Sequence, residues 1–262
     1  MNDDGGMVMA VSSEYVQSLQ RGLAVMQAFS REHPRLTLSE VARLTGLTRA
    51  TARRVLLTLQ HLGYARSDGR AFELTPKVLD LGYAYLSSLD LASIAEPAME
   101  ALVERTHESC SAAVLDGSEI VYVARVPTKR IMTISLGLGS RLPAYATSMG
   151  RVLLAELERE QVDDLIGPGP LPAITDRTIT KPADLHDELA RVRRQGWALV
   201  DQELELGLRS VAAPLLDRQG RAVAALNVSS HAGRVSLDVI RKDFLPALLE
   251  TAGRISERLA RR

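Results

Sequence analysis

The sequence predicts an α+β chain: an N-terminal winged helix-turn-helix, a linker helix, and a C-terminal antiparallel sheet flanked by helices. Three observations predict it. Leu36 to Gly63, LTLSEVARLTGLTRATARRVLLTLQHLG, reads as a short helix, a tight turn at Gly46 and a second helix. Tyr64 to Leu74 follows at once as two strand-like pieces around Asp68-Gly69, a dipeptide suited to a type I′ turn. From Ser109 onward the apolar period changes from helical to alternating, and helical patterns return at the end.

Taken in order, 1–14 is polar and small and reads as a flexible N-terminus without the apolar run of a secretory signal. Residues 15–75 form the predicted DNA-binding part. Tyr15 to Ser30 is a helix with Leu19, Leu23, Met26 and Ala28 facing inward, and Ser18 and Arg21 near its start are placed to touch phosphate. Ser39 with Glu40 starts the next helix, Gly46 supplies a residue able to take positive φ, and Thr48 is the N-cap of the second helix. In that second helix Ala52, Val55, Leu56, Leu59 and Leu62 make one inward stripe. Arg49, Ala50, Thr51, Arg53 and Arg54 lie off it with no acid among them, the surface expected of a helix whose N-terminal end enters a major groove. Arg66 and Arg70 of the hairpin are wing residues directed to phosphates. From Tyr15 to Thr75 there are nine Arg or Lys against four Asp or Glu, a local +5 in a chain whose total is zero. The basic charge is placed where the motif is, so the expected partner is double-stranded DNA.

Residues 76–90 form the linker helix, opened by Pro76 at its permitted first turn. It is apolar on two faces, Val78, Leu81, Tyr85 and Leu89 on one and Leu79, Tyr83 and Leu86 on the other, and the second face is expected to contact another copy of the chain. Residues 91–262 form the larger domain: a helix from Leu91 to Glu108, strand runs around Asp116-Gly117, a further strand in IMTISLGLG, and a helix from about Thr147. Asp163 to Thr180 reads as loop, Pro182 to Gly196 as a helix, Trp197 to Ser230 as alternating strand with a turn at Gly220 and Arg221, and the last helix is interrupted near Pro246.

Composition narrows the class. The chain is 46% hydrophobic and 24% charged, enough apolar surface for a core, and no stretch approaches the roughly 20 apolar residues of a membrane span. A cytoplasmic protein is expected, with no intrachain disulfide because Cys110 is the only cysteine, and no metal site because the five His are scattered.

The winged helix, the stretch GYARSDGRAFELTPKVLDLG and the block GWALVDQELELGLRSVAAPLLD at Gly196 to Asp217 resemble the IclR family of bacterial transcriptional regulators. RVPTKRIMTISLGLGSRLPAYATSMGRVLLA at Arg125 to Ala155 resembles more narrowly the branch regulating the β-ketoadipate pathway, whose members respond to protocatechuate, 4-hydroxybenzoate or β-ketoadipate. The resemblance implies a GAF-like effector domain, a homodimer or homotetramer, a small aromatic or dicarboxylic acid effector and no cofactor. By position it implies a pocket drawing on Asp201 or Glu203, and on Ser210, Asn227 and Ser229. The residues themselves add YATSMGR, where Tyr145, Thr147 and the backbone N–H groups of Ser148, Met149 and Gly150 surround a helix N-terminus that favours an anion. Arg130, Arg141 and Arg209 are candidate countercharges. The rival reading is a serine hydrolase, because Ala146-Thr147-Ser148-Met149-Gly150 is one residue from G-x-S-x-G and Asp201 and His231 follow in order. An architectural DNA-binding protein without a ligand is disfavoured, since the C-terminal domain is larger than dimerisation requires.

Overall fold

The computed structural model of the chain describes residues 15–89, 91–128 and 136–261, with the backbone alone at 86–89. The chain divides into two compact units, up to Ser87 and from Ser88 onward.

The first unit comprises α1 (Gln17–Gln27), β1 (Leu36–Thr37), α2 (Leu38–Thr45), α3 (Arg49–His61), β2 (Ala65–Ser67), β3 (Ala71–Leu74) and α4 (Leu79–Leu89), the last entered through a 3-10 turn at Pro76–Val78. Thr37 caps α2, not Ser39. Its hydroxyl accepts from the Glu40 amide, while the Glu40 carboxylate accepts from the Thr37 amide at 2.7 Å, so Glu40 closes a capping box with the residue three before it. Gly46 ends α2 at φ 67°, and the Thr48 hydroxyl caps α3 by accepting from Thr51 N at 3.2 Å. The small core contains Val25, Leu36, Val41, Ala52, Leu56 and Leu59. Leu19 and Leu23 are exposed, contrary to the expected stripe, because only the C-terminal end of α1 and the residues after it reach this core, through Val25, Met26, Ala28 and Phe29; Leu62, the C-cap of α3, is exposed as well.

The hairpin forms with β3 between β1 and β2. Its turn is not type I′, which needs positive φ at both central residues. Only Gly69 has it, and Asp68 instead accepts from the Arg70 and Ala71 amides, both at 2.9 Å. The chain then fastens back onto the end of α3: Thr75 Oγ1 donates to Gly63 O at 2.6 Å, Lys77 Nζ donates to Leu62 O at 2.8 Å, and the ammonium sits 5.0 Å from the centroid of the Tyr64 ring. Beyond it Leu79, Leu81, Tyr83 and Tyr85 are exposed, and the side chains of Leu86 and Leu89 lie outside the described residues.

The second unit holds α5 (Leu91–Thr106), β4 (Ser109–Asp116), β5 (Glu119–Val126), β6 (Arg141–Pro143), α6 (Ser148–Leu154), α7 (Arg159–Ile166), α8 (Pro182–Gln195), β7 (Ala198–Asp201), β8 (Leu208–Leu216), β9 (Ala222–His231), α9 (Leu237–Val239) and α10 (Leu245–Ala260). The strands form one antiparallel sheet in the order β6-β5-β4-β9-β8-β7. One face is covered by α6, α7 and α8, whose Met149, Val152, Val162, Leu185 and Leu189 pack with Ala113, Tyr122, Ala198, Ala212 and Ala225 of the strands. On the other face α10 lies on β8 and α5 on β5.

Of the strand expected in IMTISLGLG, residues 131–135 lie outside the described residues, and the chain from Leu136 turns at Gly139 into β6. The loop expected from Asp163 is helix as far as Ile166, because Glu158 and Gln161 form a capping box and the Pro/Gly punctuation starts only at Gly167. The alternating run is three strands, broken at 202–207 between Gln202 and Gly207, both with positive φ. A π turn at Ile240–Phe244 precedes Pro246, which occupies the first turn of α10.

Candidate functional site

In the first unit the caps and the core stripe decide which way α3 faces. With Ala52, Leu56 and Leu59 inward, Arg49, Ala50, Arg53 and Arg54 are exposed, and Thr51, half-buried, is bonded to Thr48 through its hydroxyl at 3.0 Å. Ser18 and Arg21 of α1 lie with Thr51 and Arg54 along one groove. In the wing Arg66 is held by Glu73, Nε to Oε1 at 2.7 Å, and Asp68 pairs with Arg35, while Arg70 is exposed at the tip. The amides of Ala71 and Arg70, together with Arg35, hold the Asp68 carboxyl down to about 2.

In the second unit a small cavity opens between the sheet and α6. The register explains its lining. Ser111 lies opposite Asn227, Ser109 opposite Ser229, and Ser229 opposite Ser210, so small polar groups from three neighbouring strands share one face. Asn227 is oriented by the Ser111 amide, which donates to its Oδ1 at 3.1 Å, leaving Nδ2 to donate to Ser210 Oγ and Ser229 Oγ, each at 3.0 Å. Ser229 Oγ donates to Ser210 Oγ at 3.1 Å. Having accepted twice, Ser210 directs its own hydrogen to Ser148 Oγ, 2.7 Å away. The chain of donors therefore ends at Ser148, whose hydroxyl hydrogen is left for whatever occupies the cavity.

Thr147, Ser148, Met149, Ser210, Asn227 and Ser229 all line this space. Four other predicted residues do not. Tyr145 turns its hydroxyl to Pro172 O at 2.7 Å. The Gly150 amide donates to the N-capping Thr147 Oγ1 at 3.1 Å and so is not offered to an anion. Gly150 is needed for another reason: a Cβ there would stand 2.1 Å from Ala144 O. Asp201 is paired with Arg209 at 2.6 Å; burial works to raise its pKa, but the bonds from Arg209 and Gln202 and the charge of Arg177 bring it below the usual range. Glu203 is bound to Arg151.

The expected countercharges also fall elsewhere. Arg209 serves Asp201 and the carbonyls of Ala232 and Val235, Arg141 is bonded to Glu119 and Asp116 at the sheet edge, and Arg130 lies outside the described residues. The cation that does line the cavity is Arg125, which has no carboxylate partner among the described residues. Strict alternation along β5 would put Tyr122 and Arg125 on opposite faces. However, Ala113 pairs with Tyr122 and Ala112 with Ala124, so Val123 is an extra residue that shifts the phase and brings Arg125 opposite Ser111, on the cavity side. Burial pushes the Tyr122 phenol up to about 12 against the opposing pull of Arg125, so it stays neutral. A buried cavity with one arginine, a neutral phenol and a chain of small donors is arranged to take a small anion with an apolar body.

The exposed basic helix and the separate anion-suited cavity agree with what known proteins show. The pattern described as Bacterial transcriptional regulator IclR C-terminal matches residues 83–257, and the IclR helix-turn-helix domain matches residues 18–69. The chain belongs to the IclR family. Like other members it is a DNA-binding transcriptional regulator and not an enzyme. It is 47% identical over 237 residues to the Pca regulon regulatory protein of Pseudomonas putida, covering 90% of this chain and 81% of that protein. A transcriptional regulator from Rhodococcus sp. RHA1 superposes with a TM-score of 0.85 at 52% identity, over 94% of this chain and 98% of the other. An IclR homolog from Microbacterium hydrocarbonoxydans, solved in complex with 4-hydroxybenzoate, superposes with a TM-score of 0.83 at 26% identity, over 92% and 98%. The hydrolase reading fails on geometry as well. Ser148 bonds to Ser210, while the His231 ring lies against Gly207 and accepts from the Gly233 amide. Among the described residues no helix is long and apolar enough to cross a membrane.

Proposed function

We propose that this regulator controls genes of aromatic-acid catabolism, those of the β-ketoadipate pathway, in response to a small carboxylate bound in the cavity between α6 and the sheet. Protocatechuate, 4-hydroxybenzoate and β-ketoadipate are the effectors to test. The observation that carries the reading is the donor chain ending at Ser148 in a cavity that also holds Arg125. The 4-hydroxybenzoate complex of the Microbacterium relative and the Pca regulon role of the Pseudomonas relative support it. The DNA contacts are assigned to Thr48, Arg49, Ala50, Thr51 and Arg53 at base edges, with Ser18, Arg21, Arg54, Arg66 and Arg70 at phosphates. The regulator acts in the cytoplasm as a two-fold dimer, or as a tetramer made of two such dimers, through the exposed apolar residues of the linker helix. Its operator is then a near-palindrome with half-sites about one helical turn apart.

Calorimetry of the parent, Arg125→Gln and Asn227→Leu with the three acids tests the pocket. The parent binds at least one acid. Arg125→Gln loses a hydrogen bond to a charged group, worth about 1.5 to 3 kcal/mol, and Asn227→Leu breaks the chain that orients Ser148, so both variants bind it roughly ten to a hundred times more weakly. Their operator affinity without the acid is unchanged. Equal affinity in parent and variants, or no binding of any of the three, refutes the assignment. Ligand alters DNA affinity only by favouring one arrangement over another, so operator titrations with and without the bound acid complete the measurement.

A further inference from the structure

We propose that the buried Arg151–Glu203 pair is a positioning clamp for the effector pocket, fixing the segment 202–207 and its cavity-lining residue Leu204 against α6. The proposal rests on the reading of the cavity as the effector site. Arg151 lies on α6 three residues after Ser148 and is 1% exposed. Its Nη1 donates to Glu203 Oε1 at 2.7 Å, Nη2 reaches the other carboxylate oxygen, and Nε donates to Tyr145 O at 2.9 Å. One side chain thus ties together the turn that supplies Ala146 and Thr147 to the cavity and the loop that supplies Leu204.

Glu203 is held from behind as well. Its carboxylate accepts from Ile179 N at 3.1 Å, its carbonyl accepts from Thr178 Oγ1 at 2.7 Å, and the Gln202 carbonyl accepts from Thr175 Oγ1 at 2.8 Å. Glu188, 3.9 Å from Arg151 and itself bonded to Arg191, is the other carboxylate at the pair. The loop starts at Gln202 with φ 65°, a backbone state a non-glycine residue keeps only when its surroundings hold it there. A buried ion pair adds little stability over apolar side chains of equal volume, because both charges lose their hydration. What this one supplies is a fixed distance and orientation between two walls of the cavity. Neither residue touches the cavity itself, so they act through Leu204 and Ala146.

The test compares E203Q and the double variant R151M/E203L with the parent in three measurements on the full chain. These are amide hydrogen exchange, calorimetry with protocatechuate, 4-hydroxybenzoate and β-ketoadipate, and operator binding without acid. Exchange at 202–208 and 144–148 is expected to speed up tenfold or more in both variants, with α5 and α10 unchanged. The Kd of the bound acid is expected to rise tenfold or more, while the operator Kd stays within twofold. The apolar double variant recovers the melting temperature that E203Q loses, but not the slow exchange or the acid affinity. Two results overturn the clamp: exchange at 202–208 that is unchanged in both variants, or exchange and acid affinity that recover together with the melting temperature in R151M/E203L. Absence of acid binding by the parent would count against the pocket assignment alone, and the exchange measurement would still decide the clamp.

Discussion

Arg49, Arg53, Arg54 and Arg70 stand outside a small core and are exposed, whereas Ser148, Ser210 and Asn227 sit inside a large one, bonded to one another. In the first unit the recognition surface is what the core leaves over. The helix buries Ala52, Leu56 and Leu59 in that core, and the side chains on its far side take no part in it. In the second unit the groups proposed to recognise the effector belong to the interior, where an unmade hydrogen bond costs about 1 to 3 kcal/mol, so the proposed specificity and the stability are carried by the same atoms. Substitutions should separate binding from stability in the first unit and couple them in the second.

The largest expected effect is in the second unit. Gly150→Ala places a methyl 2.1 Å from Ala144 O and 2.4 Å from its Cα, so α6 or the preceding turn must move. A loss of about 3 kcal/mol in stability, read from denaturant or thermal unfolding, is expected together with loss of acid binding. A stable variant that still binds the acid would break the comparison at its strongest point.

Next come the arginines of α3. Arg49→Ala or Arg53→Ala should cost about 1 to 3 kcal/mol of operator affinity and relax base preference, while stability stays within about 0.5 kcal/mol. Arg70→Ala should weaken binding to all duplexes and flatten the salt dependence. Arg66→Ala should do so less, because Glu73 already engages that side chain. Titrations on specific and scrambled duplexes at several salt concentrations separate these outcomes, and four variants behaving alike would remove the groove assignment.

The smallest effect is the acid titration of the wing. Asp68 is held near 2 by the Ala71 and Arg70 amides and by Arg35, below an unfolded value of about 3.9. A depressed carboxylate stabilises above its unfolded pKa, and that contribution is lost as the pH falls through the folded one. The wing should therefore keep its turn at pH 5 and loosen between about pH 4 and 2. The Gly69 and Ala71 amide shifts measured by NMR would follow this titration in the parent and show no such step in Asp68→Asn.

The comparison also explains what the sequence made legible. Caps and turns were readable where the chemistry is local: Thr48 and Gly46 act as their residue types require, and Gly196 ends α8 in the left-handed conformation. Part of the cavity lining is legible from one loop-to-helix stretch, Thr147 to Met149, and from two strands, through Ser210 on β8 and Asn227 and Ser229 on β9. Arg125 was not, because its face is set by the bulge at Val123, and a single inserted residue cannot be seen in a pattern that assumes a period of two. The places of Asp201 and Glu203 are not legible for a related reason. A carboxylate near a pocket in sequence is as readily bound to a nearby arginine, and only the fold shows that Arg209 and Arg151 claim them. The exposed Leu19, Leu23 and Leu62 fall on apolar stripes that have the same spacing whether they meet their own core or not.

The fastening of Lys77 and Thr75 onto the end of α3 has a mechanical consequence. An amine on the Leu62 carbonyl, a hydroxyl on the Gly63 carbonyl and a cation over Tyr64 leave the first turn of the linker no slack against α3. The linker therefore begins as a crank bolted to its shaft and not as a tether. A twist delivered to that first turn would be passed through these three contacts to the C-terminal end of α3.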